Sequence, residues 1–197
     1  MEQSLFAFIE QYMPLTQEEK DMLVGFNLFR QVKKGTILLV EGEVPKESFF
    51  VLQGCLRAYV IKDGEERTTA FFTEMQGVNP PGVQNGRASD YTVAAVEDSI
   101  LSVATPEMEK ESFEKFPRFE HLCRIMSERL LDEKQQEFDS FKLNSPEERY
   151  QILLQSNPRL VTRVPQHQLA SFLGITAQSL SRIKSRMQEK ERAALSK

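Results

Sequence analysis

The chain is 197 residues long, 40% of its residues are hydrophobic, and its formal net charge is −4. That length allows one large domain or two small ones. The sequence contains no run of about 18 apolar residues, so no transmembrane helix is expected. Two cysteines, Cys55 and Cys123, are too few for a disulfide framework or an iron–sulfur cluster. Because the N-terminus also lacks the layout of a signal peptide, we expect a cytoplasmic protein.

Charge is unevenly distributed along the chain. Residues 1–141 contain 15 basic and 25 acidic residues, whereas residues 142–197 contain 10 basic and 4 acidic residues. This pattern predicts that only the C-terminal part contacts phosphates, which would allow an acidic protein to bind nucleic acid. A chance asymmetry is the alternative interpretation.

The first two thirds of the chain change from helical to strand-like spacing. Residues 4–29 are predicted to be helical, and Thr16 begins a second short helix. Residues 76–90 are rich in glycine and proline and are predicted to be loop-rich. Short predicted strands indicate a sandwich or barrel. They cover residues 37–40, 48–52, 55–61, 67–72, 91–96 and 100–103, with Lys62-Asp63-Gly64 as a hairpin turn.

A long helix is predicted after the strands. Thr105 and Pro106 begin a first helix, and a longer one covers residues 117–141. Its apolar stripe includes Phe119, Leu122 and Phe138. Part of the stripe would pack on its own domain, and the remainder suits a two-helix seam with a second copy. The alternative is a helix that packs only on its own domain.

The C-terminal part begins with a helix N-terminus signature. Ser145 is a predicted N-cap, with Pro146 at the first helical position and Glu148 three residues after the cap, as in a capping box. Residues 160–164 are predicted to be a short strand or an extended connector.

Residues 168–184 read as a helix, a tight turn and a second helix. Gly174 suits the turn because it adopts positive φ without a Cβ penalty, and Thr176 is a natural N-cap. Leu180 and Ile183 recur at helical spacing, while polar side chains occupy the opposite face. A helix buried on one side and rich in donors on the other has the properties of a DNA recognition helix.

The order of a barrel, a long helix and a helix-turn-helix resembles the Crp/Fnr superfamily of bacterial transcription regulators. The resemblance covers nearly the whole chain and rests on fragments at family spacing: Gly35, Gly42-Glu43, residues 49–57, Asp63-Gly64, Glu97-Asp98-Ser99 and residues 169–182.

The resemblance implies an α+β fold with three parts. An N-terminal β jelly roll like those that bind cyclic nucleotides would cover residues 1–116, and a dimerisation helix with a hinge residues 117–143. A winged-helix-like helix-turn-helix domain would cover residues 144–197, with a wing that is short or absent.

The phosphate-binding cassette of the family is altered in this chain. Gly77 matches, but the ribose-binding glutamate aligns with Val78, the phosphate-binding arginine with Ser89, and the following serine with Asp90. A cyclic phosphate would lose its bidentate partner and meet a carboxylate. These four residues form the candidate effector pocket, and we expect cyclic AMP not to bind there in the usual way.

The family motif also predicts which side chains contact DNA. Ala177, Gln178, Ser181 and Arg182 align with base-facing positions, and Arg182 is suited to bidentate binding of guanine. The predicted phosphate contacts are Thr176, Ser179, Lys184, Arg186 and Gln168. A solvated face on an ordinary helical hairpin is the alternative.

These observations predict a homodimeric transcription regulator that reads an inverted repeat through the helix at 176–190. A small ligand other than cyclic AMP is the candidate effector, and RNA polymerase is a candidate partner. The alternative is a cyclic-nucleotide-binding regulatory module whose output is not DNA. No catalytic motif or spaced set of metal ligands is present, so we expect no enzyme activity, no metal and no cofactor.

Overall fold

The N-terminal helices are held by a capping box and a buried ion pair. In the computed structural model, which describes residues 2–26 and 28–195, α1 covers Glu2–Ile9 and α2 covers Gln17–Gly25. The Thr16 hydroxyl accepts from the Glu19 backbone N–H, and the Glu19 carboxylate accepts from the Thr16 backbone N–H, which confirms Thr16 as the start of α2. Glu19 is 1% exposed, and its charge is balanced by Arg118, whose Nε lies 2.6 Å from Glu19 Oε1.

Eight short strands among the described residues form two four-stranded sheets. Their order is β1-β8-β3-β6 in one sheet and β2-β7-β4-β5 in the other, which is the sandwich that the sequence predicted. The strands are β1 Phe29–Val32, β2 Ile37–Leu39, β3 Ser48–Gln53, β4 Leu56–Lys62, β5 Glu65–Phe72, β6 Gly77–Val78, β7 Thr92–Ala95 and β8 Ser99–Ala104.

The segment 76–90 is more regular than a loop. It contains β6, which pairs antiparallel with β3, and the short helix α3, Gly82–Asn85. The rest of the segment is the loop that the sequence predicted, and these two elements were missed because a two-residue strand and a single helical turn are too short to leave a periodic pattern.

Two apolar clusters build the N-terminal part. Alternate residues of the strands fill the sandwich, where Val51, Leu56, Val93 and Leu101 are fully buried. The second cluster joins α1 to the long helix α5, Arg118–Leu143, which follows α4, Pro106–Lys115. Its buried members are Leu5, Phe8, Ile9, Leu28, Leu52, Phe119 and Leu122.

Later apolar residues of α5 remain exposed. Leu131 is 71% exposed, Phe138 53%, Phe141 50% and Leu143 83%. The stripe predicted for this helix is thus buried at its start and uncovered towards its end.

Every described element after α5 is helical: α6 Pro146–Ser156, α7 Pro158–Arg163, α8 Gln166–Phe172 and α9 Ala177–Leu195. Ser145 and Glu148 form the predicted capping box of α6. The prediction of a strand or extended connector at 160–164 was wrong. Asn157 accepts from the Leu160 backbone N–H and Pro158 occupies the first helical position, so Asn-Pro starts α7.

Contacts between Cα atoms divide the chain into two units. One unit comprises residues 1–60 and 70–134, and the other comprises residues 61–69 and 135–197. The described residues of 144–197 include no strand that would form a wing, and residues 196–197 of that predicted domain lie outside the described residues. Among the described residues, no helix has the length and apolar character needed to span a membrane.

Candidate functional site

A tight turn joins α8 to α9 and fixes where α9 begins. Gly174 adopts φ +72°, and the backbone N–H of Ile175 donates to the Ala170 carbonyl at 3.0 Å. The Thr176 hydroxyl accepts from the Ser179 backbone N–H at 3.1 Å, so Thr176 is the N-cap that the sequence predicted. Positive φ at the turn, followed at once by a cap, ends α8 and starts α9 within four residues.

One face of this helix pair is fully packed. Leu169 and Leu180 are 0% exposed, and Ala170, Leu173 and Ile183 are also buried. Since residues three and four apart share a helix face, burial of Leu180 and Ile183 turns the residues between them towards solvent.

The open face of α9 carries the predicted base-reading side chains. Ala177, Gln178, Ser181 and Arg182 are all exposed. Gln178 and Arg182 are four residues apart and therefore neighbours on that face. An amide and a guanidinium at this spacing are able to make two adjacent bidentate contacts with base edges in a major groove.

The predicted phosphate contacts are in more varied surroundings. Thr176 and Ser179 hydrogen bond to each other at the N-terminus of α9, with 2.9 Å between their hydroxyl oxygens. Lys184 is half-buried, and its Nζ lies 5.8 Å from the centroid of the Tyr150 ring. Gln168 is half-buried, and its Oε1 is buried without a hydrogen-bond partner among the described residues.

Arg186 is engaged by an acidic residue of α6. Its Nη2 lies 3.0 Å from Glu147 Oε2, and Lys190 Nζ lies 2.9 Å from Glu147 Oε1. The hydrogen bond from Lys190 and the charges of both cations hold the pKa of Glu147 below its ordinary value. One carboxylate therefore binds two of the cations that α9 offers, at the edge of a groove that also includes Arg182.

The candidate effector pocket has the opposite character, because its binding positions are already used internally. Val78 is 1% exposed and belongs to the core of the sandwich. Ser89 is 5% exposed, and its hydroxyl donates to the Tyr91 carbonyl at 2.7 Å. The Ser89 backbone also pairs with Gly42 and Glu43, each at 2.8 Å, which fixes it as part of a turn.

The charged groups beside Ser89 are paired with each other. Arg87 Nη2 lies 2.6 Å from Asp90 Oδ2, and both side chains are mostly exposed. Gly77 pairs with Phe50 in the sheet. An incoming phosphate would have to displace Asp90 from Arg87, and it would find an apolar side chain at the ribose-binding position.

Sequence reasoning missed two residues of the C-terminal unit. Glu147 meets α9 and Arg149 meets the turn at Gly174, both across long separations in the chain. A capping box was visible in the sequence, but neither partnership has a local spacing pattern that would reveal it.

Residues 29–116 match the cyclic nucleotide-binding domain family. The transcriptional activator protein FnrA of Stutzerimonas stutzeri is 24% identical over an alignment of 183 residues, and the match covers 81% of this chain and 70% of that protein.

Solved structures share the fold. FixK2 from Bradyrhizobium japonicum aligns with a TM-score of 0.70 at 17% identity, over 83% of this chain and 85% of that one. The catabolite activator protein of Thermus thermophilus aligns with a TM-score of 0.54 at 21% identity, over 91% and 87%.

Residues 29–116 therefore form a domain of the cyclic nucleotide-binding type, and a helical C-terminal part follows it. The order of sandwich, long helix and C-terminal helices is the fold of FixK2 and of the catabolite activator protein, which agrees with the fold that the sequence resemblance implied.

Proposed function

We propose that the protein is a homodimeric transcription regulator that reads an inverted repeat through α9. The observation that carries the proposal is the open face of α9, where Gln178 and Arg182 lie side by side above a fully buried face. The surplus of basic residues in 142–197 supports it, because attraction to phosphates supplies most of the non-specific affinity for DNA.

The proposal assigns different tasks to the polar residues of α9. Gln178, Ser181 and Arg182 read base edges, and Ala177 lies close to the bases without donating to them. Thr176, Ser179, Gln168, Lys184 and Arg186 contact phosphates, and Arg186 does so after leaving Glu147.

Replacement of Arg182 tests the reading face. Arg182→Ala removes the guanidinium that would bind guanine, so it should reduce specific affinity by about tenfold or more. Affinity for unrelated DNA should fall much less, because one phosphate-attracting charge is lost among several. The measurement is a binding titration with the duplex that the wild-type protein selects from a randomised library.

Arg159→Ala is the matched control, because Arg159 is an exposed arginine of α7 on the same unit. It should leave sequence preference unchanged. If Arg182→Ala still protects the same duplex with wild-type affinity, the assignment of the reading face is wrong.

Dimerisation through α5 follows from the size of the reading surface. One recognition helix covers a few base pairs, and two of them about 34 Å apart read an inverted repeat. In this division, residues 1–116 sense, residues 117–143 join the subunits and residues 144–197 bind DNA. A regulator of this kind works in the cytoplasm, with RNA polymerase as the candidate partner of the bound dimer.

The sensor part does not respond to cyclic AMP in this proposal. Val78 and Ser89 are committed to the core and to a turn, and Asp90 is a carboxylate that would face the phosphate. The fold itself does not determine the effector, since the regulator CLP of Xanthomonas campestris, with a TM-score of 0.66, is described as responsive to c-di-GMP.

Thermal unfolding with and without millimolar cyclic AMP tests this part. We expect no increase in Tm, because a ligand stabilises the folded protein measurably only when the ligand concentration is comparable to or above the Kd of the complex. Cyclic AMP should bind too weakly to reach that condition at millimolar concentration. An increase of several degrees would contradict the assignment, and the same assay with a panel of small metabolites searches for the effector.

A further inference from the structure

A single guanidinium connects the end of α5 to the turn that precedes α9. Arg149 lies in the first half of α6. Its Nη1 donates to the Phe141 carbonyl at 2.9 Å and its Nη2 donates to the Leu173 carbonyl at 2.8 Å. A longer contact of 3.4 Å reaches the Asn144 carbonyl. All four residues belong to the same unit of the chain.

These carbonyls are the ones that a helix leaves unpaired. Phe141 is in the last turn of α5, and Leu173 is the C-cap of α8. The last four carbonyls of a helix have no partner within it, and they form the negative end of the helix dipole. A cation that hydrogen bonds to two such ends at once is favoured by charge and by geometry.

The Arg149 guanidinium also stacks on the Phe141 ring, and this stacking limits the orientations that the guanidinium can adopt. The guanidinium carbon lies 4.2 Å from the centroid of the Phe141 ring. A Cβ placed on Gly174 would lie 3.1 Å from the Phe141 ring and 3.8 Å from Arg149 Nη2. The ring, the guanidinium and the turn glycine are therefore in close contact, and α9 begins only three residues after Gly174.

Arg149 was not among the residues predicted to contact DNA, and its side chain is committed to this junction. Its Nε is buried without a hydrogen-bond partner among the described residues, so the two Nη groups make the contacts. A planar fork is needed to reach two separate carbonyls in this way, and a lysine ammonium does not reproduce it.

We propose that Arg149 is a positioning residue that sets the direction of α9 relative to the end of α5, and thereby the half-site spacing that a dimer accepts. This inference rests on the proposed function, because spacing has meaning only for a dimer joined through α5. Arg149 acts through the turn at Gly174 and makes no base contact.

The test compares half-sites with full sites. The probes are the duplex selected by the wild-type full-length protein, a duplex with one half-site, and a set of full sites with one or two base pairs inserted or removed between the half-sites. Arg149→Lys is expected to weaken binding to the optimal full site about tenfold, as loss of a charge-assisted hydrogen bond would. Affinity for the single half-site should stay within about twofold, and the preference among spacings should flatten.

Arg159→Lys is the control, since it makes the same chemical change on the exposed surface of α7. Phe141→Leu is a second variant that keeps the carbonyl but removes the ring, and it should flatten the spacing preference to a smaller degree. Thermal unfolding and molar mass are measured for each variant, so that a folding or dimerisation defect is recognised.

The inference is overturned if Arg149→Lys keeps the wild-type spacing preference. It is also overturned if half-site affinity, full-site affinity and Tm all fall in this variant, because Arg149 would then only support the fold. If Arg149→Lys does not fold, an unchanged spacing preference in Phe141→Leu overturns it. Failure of the wild-type protein to select any DNA would instead contradict the proposed function itself.

Discussion

At the scale of single residues, Glu147 would compete with DNA for two cations if the proposed function is correct. It holds Arg186 and Lys190 within 3.0 Å, and both cations are on α9. We predict that Glu147→Gln raises affinity for DNA by about threefold or more, because two exposed ion pairs no longer have to be broken. The salt dependence of binding should become steeper, since more cations are available to phosphates.

The control for this variant is Glu189→Gln, which removes one negative charge from the exposed surface of α9. An equal gain in both variants would mean that net charge alone is responsible. The pKa of Glu147 is held below its ordinary value, so the carboxylate remains ionised between about pH 6 and pH 8. The difference between wild type and Glu147→Gln should therefore be independent of pH in that range.

Some of these residues could be placed from the sequence and others could not. Gln178 and Arg182 were predictable, because their exposure follows from helical periodicity once Leu180 and Ile183 are recognised as buried. Glu147 was not predictable, since its partners are set by the packing of α6 against α9. The position of Lys184 near the Tyr150 ring depends on the same packing.

At the scale of elements, strands with turn signals were predicted well and very short elements were not. The hairpin between β4 and β5 is marked by Asp63-Gly64, and both residues adopt positive φ. In contrast, β6 has only two residues, and it is a strand because it pairs with β3. The helix α7 was mistaken for a strand or connector at 160–164 because the preceding Asn-Pro pair suits a turn and a helix N-terminus equally.

The burial of Val78 in β6 leads to a prediction about the stability of the N-terminal sandwich. Val78→Glu would restore the residue type of the family cassette, but it places a carboxylate at a position that is 1% exposed. We expect the free energy of unfolding to fall by about 3–5 kcal/mol, because a buried charge without a partner is strongly destabilising. Chemical denaturation with urea measures this change.

Ala88→Glu is the comparison for that variant, because Ala88 is exposed in the same segment. It should change stability by less than about 0.5 kcal/mol. If Val78→Glu is as stable as wild type, the side chain at this position is able to leave the core, and the cassette is more adaptable than its packing indicates.

At the scale of the whole molecule, the exposed end of α5 is the surface through which the proposed dimer would assemble. Leu131 and Phe138 are seven residues apart, so they lie on one face of the helix, and both are more than half exposed. We predict that Phe138→Glu converts a dimer into a monomer, because two carboxylates would meet in an apolar seam. Light scattering would then report half the wild-type molar mass.

Gln136→Glu is the matched variant, since Gln136 is exposed on the opposite side of α5. It should remain dimeric. A wild-type protein that is monomeric at micromolar concentration would contradict the assignment of α5 as the joining helix, while leaving the reading face of α9 to be tested separately.

The burial of Val78 and Ser89 and the pairing of Asp90 with Arg87 have a consequence for how the N-terminal sandwich is able to change. Recovery of a cyclic nucleotide site would require at least three substitutions. The first, at Val78, would weaken the core before any ligand could compensate for it. A single substitution therefore brings no gain in ligand binding, and selection acting on one mutation at a time would retain the present residues at these positions. A library intended to restore nucleotide binding should vary these positions together, in a background that has been stabilised beforehand.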